Sequence, residues 1–128
     1  MMSWSISWSW QAENRISAIG SVEGGVLVST GLQLVLIESD GSIRWTIEMP
    51  FKVHSIACNN GIIAVLAAHG FYVLSSTNGE MLHDGRSTYG GFTDVLSRPG
   101  GGWILSGKTG QMHLFSHEGV GYKEIRNW

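Results

Sequence analysis

The stretch Gly31-Leu-Gln-Leu-Val-Leu-Ile-Glu-Ser-Asp-Gly-Ser-Ile-Arg-Trp45 decides the fold. It runs as an apolar strand, an Asp-Gly turn and a second strand that ends in tryptophan. It returns as Gly70-Phe-Tyr-Val-Leu-Ser-Ser-Thr-Asn-Gly-Glu-Met-Leu-His83, and again as Gly110-Gln-Met-His-Leu-Phe-Ser-His-Glu-Gly-Val-Gly-Tyr122. A hairpin written three times in 128 residues points to a repeat architecture.

Two further strands precede each copy. Ile16–Gly20 and Val26–Ser29 lead into Leu32–Glu38 and Ser42–Glu48. Val53–Cys58 and Ile62–Ala67 lead into Phe71–Ser75 and Glu80–Asp84. Phe92–Ser97 and Gly102–Ser106 lead into Gln111–Ser116 and Gly121–Arg126. Asn59-Asn60-Gly61 has strong hairpin chemistry, and Pro50 ends ladder pairing after the first unit. The unit starts Ile16, Val53 and Phe92 are spaced by 37 and 39 residues, and the turn glycines Gly41, Gly79 and Gly119 by 38 and 40. Four strands recurring about every 40 residues is the signature of a propeller blade. No window carries the apolar stripe of an amphipathic helix. The chain therefore divides, as one domain over 1–128, into blades at 16–48, 53–84 and 92–126.

The first eleven residues stand outside this scheme. Trp4, Ile6, Trp8 and Trp10 alternate with Ser5, Ser7 and Ser9, the pattern of a half-buried strand. Moving the first unit back by 37 places Ile43, Trp45 and Ile47 on Ile6, Trp8 and Trp10. Residues 1–11 thus read as an outermost strand without a blade of its own, an assembly latch built on Trp4, Ile6, Trp8 and Trp10.

The repeated Gly-x-x-x-x-Leu-x-x-x-(Asp/Asn)-Gly-x-x-x-(Trp) phrase resembles the repeats of quinoprotein-like (PQQ-like) β-propellers and, more loosely, those of WD-repeat propellers. The second copy has His83 at the tryptophan position; the third has Glu118-Gly119, with Tyr122 or Lys123 there. There is no Gly-His…Trp-Asp pair, so the WD-repeat likeness is the poorer one. The resemblance implies a rigid ring of sheets carrying variable loops. It does not bring dehydrogenase chemistry with it, because no residue set here matches that cofactor and metal site. Single-chain propellers close with four to eight blades, and three do not close. The expectation is an all-β propeller arc of three four-stranded blades plus the extra N-terminal strand, closing into a six-bladed ring as a homodimer. A nine-bladed trimer and a truncated chain are the alternatives. One strand is left over in the closed ring: the N-terminal strand or Gly121–Arg126 is surplus, or the two share an edge.

Composition narrows the function classes. Charged residues make up 14% of the chain and apolar ones 43%, with 18 Gly, which argues for a compact, turn-rich protein and against disorder. A net charge of −2 gives no electrostatic case for nucleic acid or an anionic membrane. The single Cys58 excludes an internal disulfide framework and a cysteine zinc cluster. Met1–Trp10 has neither the basic start nor the apolar run of a signal peptide, so a cytoplasmic address is expected. No cofactor, metal or enzymatic activity is expected.

Candidate binding residues follow from the blade layout. Loops after fourth strands and between second and third strands emerge at one end and carry Met49, Phe51, Lys52, His69, Thr88, Tyr89 and Lys108. Ser17, His54 and Asp94 lie near the start of each first strand, where a ring would bring them to the channel. The binding set expected is Phe51, Lys52, His54, His69, Tyr89, Asp94 and Lys108. A hydrolytic Ser-His-Asp site is disfavoured, since no oxyanion-hole glycine motif accompanies it. Gly100-Gly101-Gly102 precedes a strand and is a turn, not a phosphate loop. The function expected is a non-enzymatic module that binds or scaffolds proteins through one ring face. The alternative is a small-ligand or carbohydrate-binding, lectin-like propeller with sites between blades or at the channel mouth, where Trp8, Trp10, Trp45 and Trp103 could stack on sugars.

Overall fold

A computed structural model describes residues 8–68, 70–86, 92–108, 110–115 and 124–127, with backbone alone at 85, 86 and 124–127. Within them lie twelve strands in three antiparallel sheets. The first sheet is β1 (Ile16–Val22), β2 (Gly25–Thr30), β3 (Gln33–Glu38) and β4 (Ile43–Glu48), in that spatial order. The second is β5 (Val53–Asn59), β6 (Ile62–Ala67), β7 (Gly70–Ser75) and β8 (Met81–Arg86). The third is β9 (Phe92–Ser97), β10 (Trp103–Gly107), β11 (Met112–Phe115) and β12 (Glu124–Asn127). The strand ends differ from the expected ones by three residues at most. β12 is described from Glu124 onward, and the expected start at Gly121 lies outside the described residues.

Successive side chains on a strand point to opposite faces, so each sheet offers one face to each neighbour. Leu27, Leu34 and Leu36 of the first sheet meet Ile63, Val65, Tyr72 and Leu74 of the second. Ala64, Leu66, Phe71 and Val73, on the reverse of the second sheet, meet Val95, Trp103, Leu105 and Phe115 of the third. The middle sheet is therefore buried on both faces. That is why β6 and β7 read as unbroken apolar runs and not as alternating strands. The innermost strands pack in series, β1 on β5 and β5 on β9. Gly20 makes the first approach possible: a Cβ there would lie 2.5 Å from Cγ2 of Ile56. The structure is an all-β arc of three propeller blades.

The register shows a repeat finer than the glycine spacing. Each innermost strand has a β-bulge at its second residue, Ser17, His54 or Thr93. Each outermost strand has one too, at Arg44, Leu82 or Ile125. A bulge bends the strand and raises its local twist, which suits a narrow inner edge and a splayed outer one. Trp45 faces Leu36, His83 faces Val73 and Arg126 faces Leu114. The third-blade counterpart of Trp45 is thus Arg126, not Tyr122 or Lys123 as the spacing suggested. Glu118 to Lys123 lie outside the described residues.

The N-terminal segment departs from expectation. Trp4 and Ile6 lie outside the described residues, and residues 8–12 belong to no strand. A ladder needs a neighbouring row of backbone groups, and no described strand runs beside them. Trp8 and Trp10 instead rest on the first sheet through their side chains.

Candidate interaction surface

The turns and connections of the blades gather at the two ends of the arc. At one end the turns of adjacent blades are stitched together. Trp45 Nε1 donates to the Ser76 carbonyl at 2.9 Å, and Arg44 Nη1 donates to the same oxygen at 3.1 Å. Arg44 also pairs with Glu38, and its guanidinium holds that carboxyl below the usual range. Asn59 Nδ2 donates to the Arg98 carbonyl at 2.9 Å, joining the second blade to the third.

Trp8 adds a stitch of the same kind. Its Nε1 donates to the Ser39 carbonyl at 2.8 Å, and its ring lies over Gly41, where a Cβ would come within 3.2 Å of Cγ. Trp45 lies in the same way over Gly79, 3.1 Å from a Cβ there. Trp8 thus holds against the first blade the place that Trp45 holds against the second. Beside it Trp10 packs on Val26, Val28, Val35 and Ile37, the face of the first sheet turned away from the second.

The opposite end carries the turns after β2, β6 and β10 and the connections between blades. Lys52 and Lys108 are exposed there. Asn14, Arg15, Gly31, Leu32 and Lys52 surround a groove of about 340 Å³, with Leu32 47% exposed. Backbone and hydroxyl bonds fix its walls: Met49 N–H donates to the Leu32 carbonyl at 2.7 Å, and Thr30 Oγ1 to the Asn14 carbonyl at 2.9 Å. Phe51 turns inward and packs against the core between the first two blades, and Met49 is 2% exposed. Both side chains plug the joint instead of facing a partner, because the connection crosses from one sheet to the next over an apolar seam. His69 and Tyr89 lie outside the described residues. Leu32 and Arg15 were not singled out by sequence, since a lone leucine in a turn carries no pattern.

Two of the residues expected at the channel are engaged by bonds of their own. Ser17 Oγ donates to the Val53 carbonyl at 2.6 Å and lies 3.0 Å from Ser29 Oγ. Asp94 accepts from Ser55 Oγ at 2.7 Å and from the Val95 N–H at 2.9 Å. Neither bond is directed at His54, which is exposed on its bulge. The register pairs Ser17 and His54 with Thr93, one residue before Asp94. These hydroxyl and carboxylate groups tie the inner strands together. No group of three or more His, Cys, Asp or Glu is placed to hold a metal among the described residues. Burial raises the Cys58 thiol above its ordinary value, the wrong direction for a nucleophile.

Of the four tryptophans that could stack on sugars, two are committed. Trp103 is fully buried, and Trp45 is packed under Gly79 and Ile47. Trp10 borders a hollow of about 310 Å³ with Gln11, Glu13, Asn14 and Gln33.

No family model matches the chain, and no curated protein sequence does. Solved structures do match in shape. BamB from Moraxella catarrhalis superposes with a TM-score of 0.83 at 17% identity, over 97% of this chain and 40% of that one. The Pan2 WD40 domain of Neurospora crassa gives 0.70 at 11%, over 88% of this chain and 35% of that one. HIRA(644-1017) gives 0.67 at 15%, over 92% and 40%. All three are β-propellers, and at these identities the likeness is one of fold. The chain spans about two fifths of their length.

Proposed function

We propose that the chain is a non-enzymatic protein-binding module of the cytoplasm that presents loops from one end of the propeller arc. The observation that carries this is the groove at one end of the arc, where Leu32, Arg15 and Lys52 are exposed. One set of turns is engaged by Trp45, Arg44 and Asn59, which bond one blade to the next, and by Trp8, which bonds the N-terminal segment to the first blade. The other set carries Lys52, Lys108 and the Arg15–Leu32 groove, with both lysines and Leu32 exposed. Rigid strands holding solvent-facing loops are a common platform for recognition. Basic side chains around one apolar anchor suit an acidic protein surface with a single apolar side chain. The single half-buried Cys58 fits a reducing compartment.

The test is affinity capture from a native lysate with the wild-type chain and with Lys52→Glu/Lys108→Glu, followed by titration of the captured protein in purified form. A partner bound by the wild type and weakened at least tenfold by the double substitution supports the proposal. A partner indifferent to both lysines, or no saturable partner, overturns it. The hollow beside Trp10 favours a second reading, a sugar site. Absence of any tryptophan fluorescence change across a panel of mono- and disaccharides would remove it.

A further inference from the structure

The arc ends in two apolar faces that the repeat makes complementary. Every blade has a face toward the blade before it and a face toward the blade after it. At the inner strands these faces meet through one pair of positions. Ile56 of β5 packs on Gly20 of β1, and Val95 of β9 shares a core with Ala57 of β5. The strand register makes Ile19, Ile56 and Val95 one set of equivalent residues, and Gly20, Ala57 and Leu96 the other. In each joint a residue of the first set meets a residue of the second from the preceding blade. Among the described residues, Ile19 and Leu96 are the two members left without a counterpart. They are also the most exposed large apolar side chains among the described residues, at 66% and 62%.

The surroundings agree. Leu96, Ile104, Met112, Ser106 and Asp94 line a hollow of about 250 Å³ on the free face of the third blade. On the face of the first blade turned away from the second, Val28, Val35 and Ile37 form a small apolar cluster, at most 5% exposed, with Trp10 and Val26 packed against it. The cluster corresponds in register to Val65, Tyr72 and Leu74, which the second blade buries against the first.

We propose that a second copy of this chain packs against both faces. The third blade of each copy seats on the first blade of the other, Leu96 against Ile19, and two such joints close a ring of six blades. Trp8 marks where the outermost strand of the incoming blade must run, because it already occupies the Trp45 place against the turn at Ser39–Gly41. Residues 8–10 therefore take the outer position beside the partner's β11, the position β12 holds in the separate chain. Each copy then contributes twelve strands, and the leftover strand of the sequence count is accounted for. This inference does not depend on the protein-binding proposal, since it concerns the sides of the arc and not its loop end.

The experiment is light scattering on size-exclusion fractions across about 1–100 µM, with wild type, Ile19→Asp, Leu96→Lys, the double substitution and Trp8→Ala. The chain mass is 13.9 kDa. Twice that mass is expected for the wild type. Each of the three single variants is expected to raise the dissociation constant at least tenfold. The double variant, which sets Asp against Lys in both joints, is expected to recover most of the association. Both charge changes fall on exposed side chains, so circular dichroism should show intact monomers. A monomeric wild type would overturn the proposal. So would a dimer indifferent to Ile19 and Leu96, or a mass that climbs past two copies with concentration.

Discussion

Gly79 and Trp45 show how much one joint depends on a missing side chain. Gly79 has φ +76°, and a Cβ there would lie 3.0 Å from Ile47 Cγ2 and 3.1 Å from the Trp45 ring. Gly110 shares the conformation, φ +88°, but a Cβ there would meet nothing within 4 Å. Alanine at Gly110 should cost only the backbone strain, about 1 kcal/mol. Alanine at Gly79 should cost that and a displaced aromatic, about 2–3 kcal/mol in all. Urea unfolding of the two variants measures the difference, and equal losses would show that the ring yields freely. His83 stands where the second blade would carry its tryptophan, its ring 6.0 Å from Phe71. Burial lowers its pKa from 6.5, with Asp84 opposing. The unfolded chain then takes up a proton first as pH falls, so stability should decline below about pH 6.5 and be independent of this group above it. His83→Gln should flatten that decline in denaturation midpoints recorded from pH 7.5 to 5. The turn glycines and Trp45 were legible because the Asp-Gly and Asn-Gly turns and the aromatic recur in register. Thr93 was not: a bulge looks in sequence like one more polar residue, so Asp94 was taken as the counterpart of Ser17 and His54.

Strands formed where alternation or an unbroken apolar run specified them, and their pairing followed from short turns. What the sequence could not show was how closely β1 approaches β5. Gly20 allows the contact, with Ile56 Cγ2 2.5 Å and Cβ 3.0 Å from the site of an added Cβ. Gly20→Ala should push the two inner strands apart and cost about 1–3 kcal/mol. Ile56→Ala should cost about 2–4 kcal/mol by itself as a large-to-small change at a half-buried site. Combined, the pair should lose about 1 kcal/mol less than the two effects added, because the truncation makes room for the new methyl. A double-mutant cycle from chemical denaturation reads this coupling, and strict additivity would place the strain elsewhere. Met49 was misplaced for a related reason. A methionine just before Pro50 looks like part of a surface connection, yet the chain crosses the seam between two sheets there and buries it.

The three blades are equivalent in topology but not in burial, and this sets a gradient of stability along the arc. The middle blade has apolar partners on both sides: Val65, Leu66, Val73 and Leu74 are all fully buried. The third blade has one covered face and leaves Leu96 and Met112 in solvent. In solenoid-like arrays each unit gains stability from its neighbours alone, so terminal units open first. Amide exchange in a dilute monomer should therefore be slowest in β6 and β7, faster in β10 and β11, and fastest in β12, which is short and bulged. Association into a ring would remove the distinction between terminal and central blades, since each would then have two neighbours. Raising the concentration through the association range should slow exchange in β2, β3, β10 and β11 and leave β6 and β7 nearly unchanged. Residues 8–10 should gain protection as they begin to pair, while β12 should lose it if its place is taken. Peptide-resolved exchange at two concentrations separates this from a simple gain in overall stability, which would slow every strand alike.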